Sequence, residues 1–440
     1  MTDGAEPELT LTPDQEKALG EILEARKRGR HFLLSGYAGT GKTTLMQRVA
    51  QALKASGQSV AMTAPTYKAV AVLSKKLKQC GLGDVPCLTI HSLLSLRAKP
   101  YGDRLVFQRA KHAEPVKADV VVVDECSMVD ADLMGHIRRH LQNSFVLFVG
   151  DPAQLPPVEE RESQTFATPL RSHLDIIVRQ AAGNPILDAA TAIRKAQGGP
   201  MDWSWCKSAN APPLGVYMPG RSADAWLEKA FTSPEFEADP DTFRFLAWTN
   251  ARVAEVNTKI RRFRYGDNIP TPFMPGERAL MRAPVIKDSE IKLNTNEEAT
   301  VLEIGEDSFS YHFEACGDCG PWAAEIPSWR VKLKRDEGGT VTVHTPSDEA
   351  AYNRVIDRIK DEATFARYRW KHLHDFQAEL ARMQSIYGMT VHTSQGSTFQ
   401  KAFVDVGDIR RRERDNLLEA QQLFYVAVTR PSEALYLVGV

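Results

Sequence analysis

The chain has 440 residues, of which 43% are hydrophobic and 25% are charged; these proportions exclude fibrous and disordered classes and are typical of folded globular proteins. This length predicts roughly two to four domains. The formal net charge of -1 excludes a generally basic surface, so any nucleic-acid site would have to be a local groove.

The positions of apolar residues and cysteines bear on the compartment. No apolar stretch approaches the ~20 residues that a membrane-spanning helix needs. The polar start MTDGAEPEL lacks the apolar core of a signal peptide. The cysteines are scattered along the chain, which suits a reducing compartment. We therefore expect a cytoplasmic protein that makes no contact with a membrane.

A first helix is predicted just ahead of the first strand. Thr12 followed by Pro13 is typical of an N-cap and the first helical position, which puts Gln15 in the first turn. The Gln15 amide has both donor and acceptor groups and could therefore recognise an adenine edge. The alternative is a solvated glutamine on a surface helix.

The most specific pattern is HFLLSGYAGTGKTT, residues 31–44. An apolar run leads into a glycine-rich loop and a helix predicted from about Thr43 to Ala55, which is the Walker A arrangement. Glycines let backbone N–H groups surround phosphate oxygens, and the positive end of the helix dipole faces the same anion. Lys42 is expected to reach the β- and γ-phosphates of ATP, and the Thr43 hydroxyl to bind Mg²⁺. The predicted nucleotide-binding residues are Gly36, Gly39, Thr40, Gly41, Lys42, Thr43 and Thr44.

Two further apolar segments, 59–63 and 88–93, run into small polar residues. Parallel sheets bind ligands at the carboxyl ends of their strands, so these polar residues are candidate ligand contacts. The alternative is that they are hydroxyl caps at strand ends. The residues concerned are Pro65, Thr66, Tyr67, Lys68, Thr89 and His91.

The segment 119–128, DVVVVDECSM, predicts a strand buried on both faces that ends in two carboxylates. Downstream of a Walker A loop, this is the Walker B position. Asp124 is expected to hold Mg²⁺, and Glu125 to act as the general base on the attacking water. The alternative is a helix N-cap followed by a surface glutamate.

Two later positions suit contacts with the γ-phosphate. The apolar strand 145–149 runs into GDPAQLPP, which places Gln154 on a loop braced by prolines. The apolar segment 174–178 is followed by Arg179, whose guanidinium could respond to phosphate charge.

In order along the chain, these segments resemble the motifs of superfamily 1 helicases. GYAGTGKT, APTYKAV, TIHSLL, VVVDECSMV, GDPAQLPPV and VRQ are similar to motifs I, Ia, Ib, II, III and IV. Further on, LAWTN resembles the motif that opens the second motor domain, and YGMTVHTSQGST and LFYVAVTR resemble motifs V and VI. The layout is most similar to the 1B branch, the RecD-like and Dda-type enzymes.

This resemblance implies an α/β fold in which two RecA-like P-loop motor domains hold ATP between them. It implies that Arg179 and Arg430 are the finger arginines that stabilise the transition state, and that Gly396 contacts the nucleotide. The catalytic set is then Lys42, Asp124, Glu125, Gln154, Arg179 and Arg430. The positions that face DNA in the family correspond here to Pro65, Thr66, Tyr67, Lys68, Thr89, His91, Asn250, His392, Thr393 and Ser394.

Two insertions interrupt the predicted motors. The first contains LSLRAKPYGDRLVFQRAK, which predicts two short strands around a Tyr101-Gly102-Asp103 turn. Phe107 and Tyr101 of this β-hairpin are candidate wedge residues that would stack on a base pair at a DNA fork; alternatively, Phe107 anchors the hairpin on the motor. The second insertion predicts short strands followed by a charge-rich helical part from 346 to 383, and the family comparison suggests an SH3-like β-barrel.

We therefore expect motor domain 1A at 1–93 and 118–180, and the hairpin insertion 1B at 94–117. Motor domain 2A is expected at 181–275 and 386–440, and the insertion 2B at 276–385. Within 2B, Cys316-Gly317-Asp318-Cys319 has a metal-like spacing. Structural zinc needs four ligands, usually two such pairs, so the alternative is a hairpin turn with free thiols.

The leading hypothesis is a monomeric ATP-dependent helicase whose partners are single-stranded DNA and forked duplexes; the 1B resemblance implies 5′ to 3′ translocation. A P-loop kinase or GTPase is the rival from another enzyme class, but it has no reason to duplicate the α/β domain. A third possibility is an ATP-gated DNA-binding or remodelling subunit without processive unwinding. The sequence leaves this third hypothesis open.

Overall fold

The computed structural model describes residues 11–29, 31–101, 104–177, 184–211, 214–287, 290–336 and 338–440. The predicted finger residue Arg179, the turn residues Gly102 and Asp103, and the side chain of Tyr101 lie outside this description. Within it, no helix is both long and apolar enough to cross a membrane.

The strands, in chain order, are β1 (Phe32–Gly36), β2 (Val60–Ala64), β3 (Cys87–Thr89), β4 (Leu96–Tyr101), β5 (Arg104–Arg109), β6 (Val120–Val123), β7 (Phe145–Gly150), β8 (Arg171–Leu174), β9 (Ala209–Ala211), β10 (Leu214–Tyr217), β11 (Phe243–Ala247), β12 (Arg278–Met281), β13 (Val285–Lys287), β14 (Glu290–Leu293), β15 (Glu298–Phe313), β16 (Trp322–Arg335), β17 (Thr340–Pro346), β18 (Met383–Ser385), β19 (Gly388–Thr390), β20 (Phe399–Asp405) and β21 (Pro431–Val438).

The helices are α1 (Pro13–Lys27), α2 (Lys42–Ala55), α3 (Tyr67–Gln79), α4 (Ile90–Leu93), α5 (Ala131–His140), α6 (Pro185–Ala196), α7 (Ala223–Phe231), α8 (Pro234–Ala238), α9 (Asn250–Tyr265), α10 (Glu349–Ala363), α11 (Arg369–Glu379), α12 (Val406–Arg410) and α13 (Leu417–Val428).

The chain divides into two compact units. The first contains Met1–Ser95, His112–Ala254 and Met389–Val440, and the second contains Leu96–Lys111 and Glu255–Gly388. The first unit holds two six-stranded sheets, and the second holds a five-stranded sheet and the β4–β5 hairpin.

The first sheet has the strand order β3-β2-β6-β7-β1-β8, and every neighbouring pair in it is parallel. Strands β1, β2, β6 and β7 are buried along their whole length. Such strands must be apolar on both faces, which explains the uninterrupted run Val120–Val123. Residues of α1 and α2 such as Ile22 and Val49 pack with these strands in one core.

The second sheet has the order β19-β11-β20-β21-β10-β9. Its strands β11, β20, β21 and β10 pair in parallel, and β9 is an antiparallel edge strand. Strands β10, β11, β19, β20 and β21 occupy the same positions, in the same chain order, as β1, β2, β3, β6 and β7 of the first sheet. The predicted α/β class is confirmed, and the shared winding is that expected of two RecA-like domains.

The second unit is built on an antiparallel sheet of order β17-β16-β15-β12-β18, with β13 and β14 as a separate ribbon. Among the short strands that the sequence predicts here, segments 299–304 and 309–313 are joined by the structure into the single strand β15. The polar stretch between them remains extended because residues 305–308 pair with residues 327–330 of β16. Helices α10 and α11 follow the sheet, as predicted, and pack on it through Phe313, Tyr352 and Phe376.

Cys316 and Cys319 face each other at the end of the β15–β16 hairpin. Each backbone N–H donates to the carbonyl of the other residue at 3.0 Å, and both thiols are free. Among the described residues, no three metal-ligating side chains come together.

Candidate nucleotide site and nucleic-acid contacts

The Walker A loop connects β1 to α2. Gly41 has a left-handed backbone (φ 77°) and is the N-cap of α2, a conformation that glycine adopts without strain. No side chain caps this helix end, so its first N–H groups remain suited to an anion. The Lys42 ammonium donates to the carbonyls of Gly36 at 2.6 Å and Tyr37 at 3.0 Å. The lysine is therefore held over the loop that it is expected to complete around phosphate.

Gln15 is buried, with 2% of its surface exposed, so the alternative of a solvated glutamine is wrong. Its Oε1 accepts from the Thr12 N–H, completing the capping box of α1, and its Nε2 donates to the Thr40 carbonyl at 3.0 Å. The predicted Thr12–Pro13 helix start is confirmed. The Gln15 amide thus holds the Walker A loop through the Thr40 carbonyl. Its recognition of adenine remains a prediction.

The two carboxylates follow β6 directly. Asp124 accepts the Glu125 N–H at 2.9 Å. Burial, together with the neighbouring Glu125 charge, raises the pKa of Asp124 to about 7. Glu125 has a left-handed backbone (φ 50°), which is unfavourable for a residue with a side chain, and it makes no capping bond to the turn that follows. Strained backbone of this kind accumulates at functional sites.

Gln154 lies on the loop after β7 and is 6% exposed. Its Oε1 is buried and has no hydrogen-bond partner among the described residues, a condition that a bound ligand or water would relieve. Its neighbours Ala153 and Leu155 pack into the core of the second sheet with Phe424. The loop is therefore held by both sheets.

Tyr425, on α13 of the second sheet, was not among the predicted site residues. Its hydroxyl donates to Asp151 Oδ2 at 2.8 Å and accepts from the Ala38 N–H at 2.9 Å. Tyr425 is 2% exposed and Asp151 is fully buried. Burial, and then the Asp151 charge, raise the pKa of Tyr425 well above its ordinary value, which keeps the hydroxyl protonated and able to donate.

A second contact between the sheets, also unpredicted, involves the aromatic residue of the Walker A loop. The Arg194 guanidinium of α6 lies 3.7 Å from the Tyr37 ring centroid. The His173 ring also contacts Tyr37, in a T-shaped arrangement with the ring centroids 4.8 Å apart. Beside this contact, a cavity of about 270 Å³ is lined by Ala38 and Gly39 on one side and by residues of the second sheet that include Thr429 on the other.

Arg430, the predicted finger residue, is 6% exposed. Its guanidinium donates to the carbonyls of Val426 at 3.0 Å and Ser397 at 3.1 Å, and to the Thr429 hydroxyl at 3.0 Å. In this conformation the side chain is held against the second sheet.

Several of the residues predicted to face DNA lie at the starts of helices. The hydroxyls of Thr66 and Thr89 cap α3 and α4 by accepting from backbone N–H groups, so capping and ligand contact are both open to them. Tyr67 and Asn250 begin α3 and α9. Pro65 is a half-buried residue between β2 and α3.

Gly396, which we predicted to contact the nucleotide, closely approaches the start of α3. It has φ +75°, and a Cβ at this position would lie 2.9 Å from Ala69 Cβ and 3.6 Å from Thr66 Oγ1. Only glycine permits this approach. Gly396 therefore joins the loop after β19 to the start of α3, among the predicted nucleic-acid residues.

Lys68 is held between the two sheets. Its ammonium lies 3.7 Å from Asp241 and 5.0 Å from the Phe399 ring centroid. Asp241 also pairs with the buried Arg244 at 2.7 Å. A cation predicted to contact DNA is thus engaged by a carboxylate of the second sheet.

The predicted DNA-facing residues on the loop after β19 differ in how exposed their side chains are. Ser394 is fully buried, and its hydroxyl donates to the Val391 carbonyl at 2.7 Å. This corrects the prediction that it grips phosphate, because the turn points the side chain inward. Thr393 is half-buried and shares a hydrogen bond with Thr390. Burial lowers the pKa of His392, as it does that of His91, so both are neutral at pH 7 and offer hydrogen bonds rather than charge.

The β4–β5 hairpin is present in the second unit. Ala98 pairs with Phe107 and Tyr101 with Arg104. The Phe107 side chain is 48% exposed, which is compatible with stacking on a base. Strand β4 also contacts α11 of the same unit.

The fold and the site together define a P-loop protein with two RecA-like sheets, in which the second sheet closes on the phosphate loop of the first. Residues 10–206 match the protein family described as AAA domain. Residues 385–438 match the family described as UvrD-like helicase C-terminal domain.

Relatives extend over nearly the whole chain. The ATP-dependent DNA helicase dda of Enterobacteria phage T4 is 25% identical, covering 96% of this chain and 97% of the relative. The ATP-dependent RecD2 DNA helicase of Deinococcus radiodurans is 31% identical over 99% of this chain and 51% of its own length. Bacteroides Pif1 bound to ssDNA has the same fold, with a TM-score of 0.51 at 17% identity over 97% of this chain and 92% of that one. The chain belongs to the superfamily 1B helicases.

Proposed function

We propose that this chain is an ATP-dependent DNA helicase that moves 5′ to 3′ along single-stranded DNA and unwinds forked duplexes as a cytoplasmic monomer. An ATP-hydrolysing helicase is what membership of the family implies; the polarity, the substrate and the residue roles are our proposal. The observation that carries it is the closure of the second sheet on the Walker A loop through Tyr425 and Arg194.

Lys42 and the open N-terminus of α2 would bind the phosphates of ATP. The half-buried Asp124 carboxylate lies next to Glu125. Desolvation and the Glu125 charge disfavour its charged form, and a bound cation would stabilise that form. Thr43 and Asp124 would therefore hold Mg²⁺, which supplies neutralisation of phosphate charge when it is bound.

Glu125 would accept a proton from the attacking water, and Gln154 would orient that water through its unpaired Oε1. Arg430 would leave its backbone acceptors for the γ-phosphate, with Arg179 as the second cation. A phosphate oxygen carries negative charge, so it attracts the Arg430 guanidinium more strongly than the carbonyl and hydroxyl oxygens that the side chain contacts now. The exchange would link hydrolysis to movement of the second sheet.

DNA would lie across the two sheets along the starts of α3, α4 and α9 and the loop after β19. Thr66, Thr89, Asn250 and Thr393 would bind the backbone there, and Tyr67 would stack on a base. The two sheets correspond to the proposed motor domains 1A and 2A, and residues 94–117 and 276–385 to the insertions 1B and 2B.

The test is strand displacement on forked DNA that carries either a 5′ or a 3′ single-stranded tail. We expect unwinding from the 5′ tail, dependent on ATP and Mg²⁺, and none with Glu125→Gln. Unwinding only from the 3′ tail would overturn the polarity. DNA-stimulated ATP hydrolysis without displacement of either strand would instead favour an ATP-gated remodelling subunit.

A further inference from the structure

A single hydroxyl joins the two sheets at the Walker A loop. Tyr425 Oη is bonded to Asp151 Oδ2 at 2.8 Å and to the Ala38 N–H at 2.9 Å. Ala38 follows β1 and Asp151 follows β7, while Tyr425 lies on α13 of the second sheet. These groups meet only when α13 lies against both loops of the first sheet.

Both loops carry proposed catalytic residues. Ala38 precedes Lys42 on the Walker A loop, and Asp151 precedes Gln154, whose N–H donates to the Asp151 carbonyl at 3.2 Å. Asp151 is fully buried, and its other carboxylate oxygen accepts the Ala153 N–H at 2.9 Å. The Tyr425 hydroxyl therefore donates to the second oxygen of a buried carboxylate. A buried carboxylate oxygen without a donor would destabilise the fold.

We propose that Tyr425 is a positioning residue for ATP hydrolysis. Its hydroxyl fixes the Walker A loop and the Gln154 loop relative to each other and to the second sheet, so that hydrolysis requires the closed arrangement of the two motors. This inference rests on the proposed function. Tyr425 acts through Ala38 and Asp151 and does not itself touch the phosphates.

Tyr425→Phe removes the hydroxyl and leaves the phosphate-binding groups in place. Tyr425→Phe keeps the ring, which packs in the core with Leu155, and it leaves Lys42 and the N-terminus of α2 available to the nucleotide. We expect kcat in saturating single-stranded DNA to fall about tenfold or more, because misplacement of reacting groups lowers turnover. KM for ATP should change by less than about threefold. A purely structural tyrosine would not produce this split.

A double-mutant cycle tests whether the two bonds form one chain. Asp151→Ala should lower kcat as Tyr425→Phe does, and the double variant should be no slower than the slower single variant, within about twofold. Losses that multiply would show independent roles and overturn the proposal. Asp151→Asn offers one carbonyl oxygen to two donors, the Tyr425 hydroxyl and the Ala153 N–H, so its kcat should lie between those of wild type and Asp151→Ala.

The matched control is Tyr436→Phe. Tyr436 lies on β21 of the same sheet and stacks on Tyr217 and Phe403, so its substitution deletes a hydroxyl without disturbing the Walker A loop. Its kcat should remain within about twofold of wild type. Thermal unfolding of each variant shows whether it is folded.

The outcomes separate this inference from the proposed function. Wild-type protein without DNA-stimulated ATP hydrolysis would contradict the function itself. An active wild type with a Tyr425→Phe variant of unchanged kcat, or with kcat and KM altered in proportion, would overturn the role of Tyr425. If Tyr425→Phe does not fold, the Asp151 variants decide: a loss in Asp151→Ala that is smaller in Asp151→Asn supports the proposal, and equal losses refute it.

Discussion

The two six-stranded sheets share one winding but differ at the ends of corresponding strands. After β1 the first sheet has the glycine-rich loop and Lys42, whereas after β10 the second has Met218 and Pro219 before a short turn leads into α7. After β6 the first sheet has the Asp124–Glu125 pair. The corresponding strand β20 ends in Asp405, which pairs with Arg252 at 2.7 Å and caps α12 through the Asp408 N–H.

This difference shows how one fold serves two purposes. A carboxylate at the end of a central strand is available to a ligand only if the protein does not satisfy it. Asp124 lies beside another carboxylate and has a raised pKa, whereas Asp405 already has a cation and an N–H group. The second sheet instead contributes groups that close over the first, namely the Tyr425 hydroxyl and the Arg194 guanidinium.

We expect the largest loss of ATP hydrolysis from a substitution in the carboxylate pair that follows β6. Glu125→Gln should lower DNA-stimulated ATP hydrolysis by about 10²–10⁴-fold, the usual contribution of a general base, while nucleotide binding is retained. Lys42→Ala should instead weaken nucleotide binding itself. Steady-state ATPase assays in saturating single-stranded DNA and a fluorescent-nucleotide titration measure the two properties separately.

The matched variant at the end of β20 is Asp405→Asn. It should leave kcat per folded molecule within about twofold of wild type. Because it removes the charge of a buried carboxylate that pairs with the half-buried Arg252, it should lower the free energy of unfolding by roughly 1–3 kcal/mol. If Asp405→Asn abolished hydrolysis as Glu125→Gln does, the two strand ends would not differ in the way described here.

Whether a feature of the site could be predicted from the sequence depends on how far apart its residues lie along the chain. The Walker A loop and the Asp124–Glu125 pair were predicted because each requires particular residue types at adjacent positions. Tyr425 was missed because its partners lie 274 and 387 residues away, and only the packing of the sheets brings them together. The close approach of Gly396 to α3 was missed for the same reason: its neighbour Ala69 belongs to a helix that packs on the first sheet.

In the second unit, the sequence predicted the type of sheet but not the lengths of its strands. Short alternating segments predicted its antiparallel character, but the continuity of β15 depends on pairing with β16 rather than on the polar residues 305–308 themselves. Burial of Ser394 was likewise unpredictable, because a hydroxyl in a turn can point either way and the local backbone decides.

The next effect concerns the hairpin, which has no counterpart after β19 of the second sheet. Phe107→Ala should lower the rate of strand displacement by about tenfold, since base–aromatic stacking is worth ~1–3 kcal/mol, while DNA-stimulated ATP hydrolysis continues. Forked DNA with a fluorophore and quencher at the junction reports strand separation. Unwinding that persists in both Phe107→Ala and Tyr101→Ala would place the wedge elsewhere in the chain.

The smallest expected effect concerns Lys68, a predicted DNA contact whose ammonium lies 3.7 Å from Asp241. The Asp241 side chain is about half exposed and that of Lys68 is mostly buried, and a partly exposed ion pair contributes on the order of 1 kcal/mol. Asp241→Asn weakens the hold on Lys68 but keeps an oxygen that can accept from the buried Arg244. Affinity for a short oligo-dT strand should therefore rise by up to about fivefold at low salt, with the gain diminishing as salt screens both interactions.

Lys68→Ala is the counterpart and should lower that affinity at low salt. It should also reduce the slope of log affinity against log salt by about 1, the signature of one lost phosphate contact. Fluorescence anisotropy titrations over a series of salt concentrations measure both quantities on the same samples. If Lys68→Ala left the slope unchanged while Asp241→Asn weakened binding, Lys68 would serve only to join the two sheets. The phosphate contacts would then be assigned to the helix starts at Thr66 and Thr89, where hydroxyls and backbone N–H groups act without a formal charge.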